Sequence, residues 1–293
     1  MATPVEAAFW TFAGNLEVLN KQPDLVAQRQ RKVEKLLRRR LTVVRSLLIG
    51  SYVRNTITRP MEESDVDLLV LLDYSKHKRW LDGEGVERVR ERFSGCLAGR
   101  RRPSTVPIGR HALHLRFPEF RLDVMPALAN PVGGYLVPDF VRREWIPMHP
   151  AAFDEQIARL DQQHDRRAIP LIRMLKAWNR TTRLPLRGFH LECLVYRYLE
   201  EGWPIREYSI TIPHLLKWLR SALNRPVEEP IFGQIVDAYL DEGEGWPKPR
   251  QQVVTILAET MDQIELATRA AQADWRDALR IWKRLFGPLF PIR

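Results

Sequence analysis

The sequence predicts an α+β chain: a small mixed sheet lobe with an N-terminal helix over residues 1–150, then an all-helical lobe over 151–293. Three observations predict it. Short apolar runs with strand character are confined to about residues 42–126. A stretch of helical spacing precedes them. From about Ala151 onward strand signals nearly vanish, and apolar residues recur at helical spacing between proline and glycine breaks.

The elements follow in order. Residues 5–45 read as helix, with Phe9, Phe12, Leu16 and Leu19 near helical spacing. A break falls at Gln22-Pro23-Asp24, with Asp24 as the expected N-cap. The second part, Leu25 to Arg40, is strongly charged and ends in Arg38-Arg39-Arg40; it reads as a solvated face or as a basic spine for phosphate. Strands are expected at 43–49, 66–72, 111–117 and 120–127, with a helix at 85–97 and a basic loop through Arg100-Arg101-Arg102. Pro118-Glu119 reads as a hairpin turn joining the last two strands, and 133–138 as an irregular extended stretch leading to Trp145. Helices are expected at 151–164, 167–181, 188–201, 211–223, 232–240, 250–272 and 274–285.

The chemistry concentrates in residues 47–72. A first apolar strand ends in Gly50-Ser51; after residues 52–64 a second begins Ser64-Asp65-Val66-Asp67 and continues as an apolar run to Leu72. Alternate residues of a strand share a face, so Asp65 and Asp67 project together. Two such carboxylates with no nearby Lys are costly unless a cation joins them, and Mg²⁺ suits a few carboxylate oxygens plus substrate phosphates. Gly50-Ser51 can bring backbone N–H groups and a hydroxyl against a phosphate. Standing alone, an Asp-x-Asp or a Gly-Ser is ordinary turn chemistry; the combination is what points to a site. A third carboxylate is available at Asp123, in Phe120-Arg121-Leu122-Asp123-Val124-Met125-Pro126.

Composition sets the wider bounds. The chain has 293 residues, 45% hydrophobic and 28% charged, which suits a folded globular protein. The formal net charge of +10 predicts polyanionic company, either nucleoside triphosphates or nucleic acid. Cys96 and Cys193 can build neither a disulfide framework nor a four-ligand zinc site. With no signal-peptide pattern and no apolar run long enough to span a bilayer, a cytoplasmic location without membrane attachment is expected.

The Gly-Ser turn followed by the Asp-x-Asp strand and a third Asp strand resembles the nucleotidyltransferase superfamily related to DNA polymerase beta. Further stretches narrow the resemblance to the bacterial CD-NTases of anti-phage signalling. These are Gly50-Ser51-Tyr52-Val53-Arg54-Asn55-Thr56, Met174-Leu175-Lys176-Ala177-Trp178-Asn179, Gly188-Phe189-His190-Leu191-Glu192 and the ending Trp282 to Pro291. There is no Cys/His cluster of the kind the animal cyclic-GMP-AMP synthases use to engage DNA.

The resemblance implies that Asp65, Asp67 and Asp123 are catalytic and hold two Mg²⁺ ions, or Mn²⁺. It implies that Gly50 and Ser51 orient the donor triphosphate, that Thr56 belongs to the same motif, and that Lys176 contacts a nucleotide triphosphate. Arg173, Lys176 and Arg180 share one helix face by their spacing, which also reads as a plain solvated face. Tyr208 is a base-stacking candidate; Trp178 is one too, with core packing favoured. His190 and Glu192 read as packing and capping residues. The implied function is synthesis of a cyclic di- or trinucleotide second messenger from ATP or other nucleoside triphosphates, acting on a separate effector. The alternatives are a linear oligonucleotide synthase or RNA-tailing enzyme, and a non-catalytic nucleotide-binding module. A monomer with at most weak, non-specific nucleic-acid binding is expected.

Overall fold

A computed structural model describes residues 3–19, 22–98, 106–242 and 248–292. The expected basic loop at Arg100-Arg101-Arg102 lies outside the described residues. The chain divides into two compact units, Val18–Asp154 and Met1–Glu17 with Glu155–Arg293.

Helix α1 spans Pro4–Asn15 and opens on Thr3, whose hydroxyl accepts from the Glu6 amide. Its Phe9 and Phe12 are fully buried, in edge contacts with Trp282, Phe286 and Phe290. This aromatic cluster is why α1 groups with the C-terminal half, whereas the N-terminal helix is expected with the sheet lobe. Leu19, expected on the apolar stripe, lies beyond the end of α1 and is exposed.

The sheet unit begins with α2, Pro23–Leu37. Pro23 lacks an N–H and suits the first helical position; the cap therefore falls on Gln22, with φ 48°, and Asp24 sits inside the first turn. Strand β1 is Val43–Ile49 and β2 is Asp65–Leu72. A short helix α3, Tyr74–His77, precedes α4, Gly85–Leu97. Then come β3 (Leu113–Arg116), β4 (Arg121–Ala129), β5 (Tyr135–Asp139) and β6 (Glu144–Met148). The sheet runs β1-β2-β4-β5-β6, with β3 also paired to β4; β2 and β4 are parallel and the other pairs antiparallel.

Strand alternation divides this sheet by chemistry. Val66, Leu68, Val70 and Leu72 pack into one large core with Val26, Val33 and Leu37 of α2 and Val89 and Phe93 of α4. The odd-numbered positions face the other way, where Leu69 and Leu71 join Ile49, Met125 and Ala127 in a smaller cluster. Asp65 and Asp67 continue that second face at the start of β2, so the helices lie behind them and not over them.

The hairpin β5–β6 occupies the stretch read as irregular. Gly133 and Gly134, with φ 105° and 70°, make the turn before it. Pro138 and Pro147 lie within its strands and hide the pattern, because proline gives no ladder donor and reads as a strand breaker.

The second unit adds α5 (Pro150–Gln163), α6 (Ala168–Thr181), α7 (Gly188–Glu200), α8 (Tyr208–Ala222), α9 (Pro249–Ala273) and α10 (Trp275–Phe286), close to the expected helices. The exception is 232–240, where only Ala238–Leu240 turns, as a 3-10 helix. The Glu229 carboxylate there accepts from the amides of Ile231 and Phe232, and buried Asp237 accepts from the Val227 amide. Such side-chain bonds compete with helix for the same backbone groups. Within this unit the Glu6 carboxylate, buried on α1, accepts from the amides of Tyr208 and Ser209 at 3.1 and 2.9 Å and so caps the N-terminus of α8.

Candidate active site

Register brings the three aspartates together. Parallel pairing of β2 with β4 sets Asp67 beside Asp123 and Asp65 beside Arg121. Antiparallel pairing continues both rows: Ile49 beside Asp67, His114 beside Asp123, and Arg116 beside Arg121. Two rows therefore cross the same face, one reading Ile49, Asp67, Asp123, His114 and the next Asp65, Arg121, Arg116.

The Gly-Ser turn closes on this cluster. Gly50 has φ 76°, and a Cβ built there would lie 2.1 Å from Asp67 Oδ2. No other residue fits while Asp67 keeps its place, which explains physically why the glycine and the Asp-x-Asp strand belong to one motif. The turn is pinned by its own backbone: the Gly50 carbonyl accepts from the amides of Val53 and Arg54, and the Ser51 carbonyl from those of Thr56 and Ile57. Arg54, two residues on from Tyr52, pairs with Asp154 at 2.7 Å and lies over the Phe153 ring.

The carboxylates are not without cations, as the absence of a nearby Lys suggests. Arg121 donates through Nε to Asp123 Oδ1 at 2.8 Å and through Nη2 to Asp123 Oδ2 at 3.2 Å and to Asp65 Oδ2. His114 Nδ1 lies 2.7 Å from Asp123 Oδ1. Burial and the neighbouring Asp123 charge push the Asp65 carboxyl up to about 6, against the pull of Arg121. Among the described residues no three His, Cys, Asp or Glu side chains close around a metal position. The donor chemistry still fits a hard divalent ion: three carboxylates in adjacent register rows, one already strained by like charge, with a guanidinium as their present counter-charge.

Arg121 and His114 had a legible signal. A hairpin centred on Pro118-Glu119 pairs residues equidistant from the turn, which puts His114 opposite Asp123. Arg121, two residues before Asp123, must share its face.

Three expected binding residues stand differently. Thr56 is fully buried, its amide spent on closing the Gly50-Ser51 turn, so it has no surface to offer a nucleotide. Tyr208 is also fully buried; its hydroxyl donates to the Arg167 carbonyl at 3.3 Å, and burial raises the phenol well above its ordinary pKa. It is a core residue and not a stacking platform. Lys176 is mostly buried and pairs through Nζ with Glu192 Oε1 at 2.6 Å. Arg173, on the same helix face, is buried beside Glu17. Trp178 is buried in the core with its indole N–H toward Thr260, and buried His190 meets the Tyr239 hydroxyl through Nδ1 at 3.0 Å.

A turn-held glycine against a strand of paired carboxylates, with a third on the adjacent parallel strand, is an arrangement suited to nucleotidyl transfer. Residues 3–160 match the model of the Second Messenger Oligonucleotide or Dinucleotide Synthetase domain, and the chain belongs to that family of CD-NTases, enzymes that build cyclic oligonucleotides from nucleoside triphosphates. The family generally uses divalent metals. A protein of Acinetobacter sp. named a cyclic AMP-AMP-AMP synthase is 24% identical over 259 residues, 85% of this chain and 73% of its own. The fold is similar to that of Escherichia coli MS115-1 CdnC, solved with ATP (TM-score 0.72, 16% identity, 98% of each chain). It is similar too to Bradyrhizobium diazoefficiens CdnG, solved with GTP (TM-score 0.70, 15% identity, 98% of this chain and 95% of that one). Among the described residues no helix is long and apolar enough to cross a membrane.

Proposed function

We propose that this chain joins ATP, alone or with a second nucleoside triphosphate, into a cyclic di- or trinucleotide at Asp65, Asp67 and Asp123, and that the product signals to a separate effector in anti-phage defence. The observation that carries the assignment of residues is the side-by-side register of Asp67 and Asp123 with Gly50 packed against Asp67. Asp65, Asp67 and Asp123 would hold two Mg²⁺ ions, for which Mn²⁺ could substitute. Bound metals would supply counter-charge for the triphosphate and lower the pKa of the attacking hydroxyl. The chain's own part is placement. The Gly50-Ser51 backbone and the Ser51 hydroxyl orient the donor triphosphate. Asp123, fixed by His114, is available to accept the hydroxyl proton. Lys176 reaches a triphosphate only by giving up part of its pairing with Glu192, and we assign it the lesser role. The protein works as a cytoplasmic monomer and needs no nucleic acid.

The test is incubation with the four labelled triphosphates and Mg²⁺, followed by phosphatase. With the label on the α-phosphate, a cyclic product is unchanged by phosphatase, whereas a linear product loses its terminal phosphates and shifts in mobility, which would make the chain a linear synthase. Asp65→Ala with Asp67→Ala should give no product while remaining folded by circular dichroism. Product at near wild-type rate from that variant would remove these residues from catalysis.

A further inference from the structure

The carboxylate cluster already has a cation, and it belongs to the chain. Both oxygens of Asp123 accept from Arg121, and the same Nη2 reaches Asp65 Oδ2. Sheet register seats this side chain beside Asp65 and two residues from Asp123 on one face. A hard divalent ion binds through the same oxygen lone pairs. The guanidinium and a metal bridging Asp65 and Asp123 are therefore alternatives.

The two ends of the bridge are unequal. The Asp123 side chain is 11% exposed, against 42% for Asp65 and 34% for Arg121. Water reaches the Asp65 end of the bridge, so replacing the guanidinium there costs less than at Asp123. Asp123 is steadied separately by His114. That ring has its own niche: a Cβ on Gly109 would stand 2.5 Å from His114 Nε2. Asp123 thus keeps its orientation when Arg121 lets go.

Resting on the two-metal reading above, we propose that Arg121 is a positioning residue: it neutralises Asp65 and Asp123 in the metal-free protein, holds them in place, and must release Asp65 before a divalent ion bridges them. The cluster passes from an arginine-held to a metal-held form without ever being left as bare like charges, and the release sets how much metal the enzyme needs.

The test uses the whole chain stripped with chelator. Mg²⁺ is titrated calorimetrically into wild type, Arg121→Gln and Arg121→Lys, and each protein is melted in chelator and in saturating Mg²⁺. Arg121→Gln should bind Mg²⁺ about tenfold more tightly, since a charge-assisted fork no longer competes. It should melt below wild type in chelator and level with it in Mg²⁺. Arg121→Lys, which keeps the charge but not the fork, should tighten binding by roughly threefold; it carries the comparison if the Gln variant does not fold without metal. Binding equal to or weaker than wild type in the variants, or a melting deficit that Mg²⁺ leaves in place, overturns the role of Arg121 alone. A wild-type protein that takes up no Mg²⁺, either alone or with a non-hydrolysable ATP analogue present, removes the two-metal reading, and this inference with it.

Discussion

Replacing Gly50 by alanine puts a methyl group where the Asp67 carboxylate already stands. The new Cβ would lie 2.1 Å from Asp67 Oδ2, at a backbone φ of 76°. The left-handed backbone alone costs alanine about 1 kcal/mol. Relieving the overlap means moving Asp67 or the turn, and such overpacking adds about 1 kcal/mol or more. A total near 2 kcal/mol reads as a fall in melting temperature of roughly 3 °C for a chain of this size. The effect on chemistry is larger, because a reacting group displaced by about 1 Å costs on the order of a hundredfold in rate. Labelled-nucleotide turnover and a thermal melt, run on the same preparation, separate the two effects. Activity within about threefold of wild type would refute the claim that Gly50 fixes Asp67.

Other expectations lie away from the carboxylates. Glu6→Ala removes the cap of α8 and should cost about 2 kcal/mol in urea unfolding, with Glu6→Gln costing less; equal stability of all three would deny the cap its role. His190 is buried neutral, its pKa lowered by burial to about 4 from 6.5. The unfolded chain takes up the proton first, so stability is full above about 6.5 and falls by roughly 3 kcal/mol as the pH drops toward 4. His190→Gln should flatten that slope between pH 7 and about 4.5, and an unchanged slope would assign the acid sensitivity elsewhere. Duplex RNA or DNA should bind weakly and lose affinity steeply between low and physiological salt, without raising turnover. An enzyme silent until one polymer is added would contradict this.

Much of this architecture is written in local pattern. Strand 43–49 and helix 85–97 can be read to the residue, because apolar spacing changes sharply at their ends. The Asp65–Asp67 pair is legible for a similar reason, because alternation within one strand puts both on one face; Asp123 joins them through the resemblance and, in the fold, through the β2–β4 register. What the pattern conceals is long-range. Nothing near Phe9 says that its neighbours are Trp282 and Phe290. The tyrosine at 208 has the character of a base-stacking residue, and only tertiary burial removes it from that role. At 232–240 apolar spacing suggests helix, but Glu229 and Asp237 capture the backbone first.

The pairing of α1 with α10 bears on how the chain is made. Residues 18–154 form one compact unit, and α1 lies outside it. Helix α1 precedes that unit along the chain, yet its aromatic partners at 282–290 follow it. Until those partners are made, Phe9 and Phe12 lack the rings they pack against. A segment made before the sheet thus waits for partners made after it, and shortening α1 would be felt at α10.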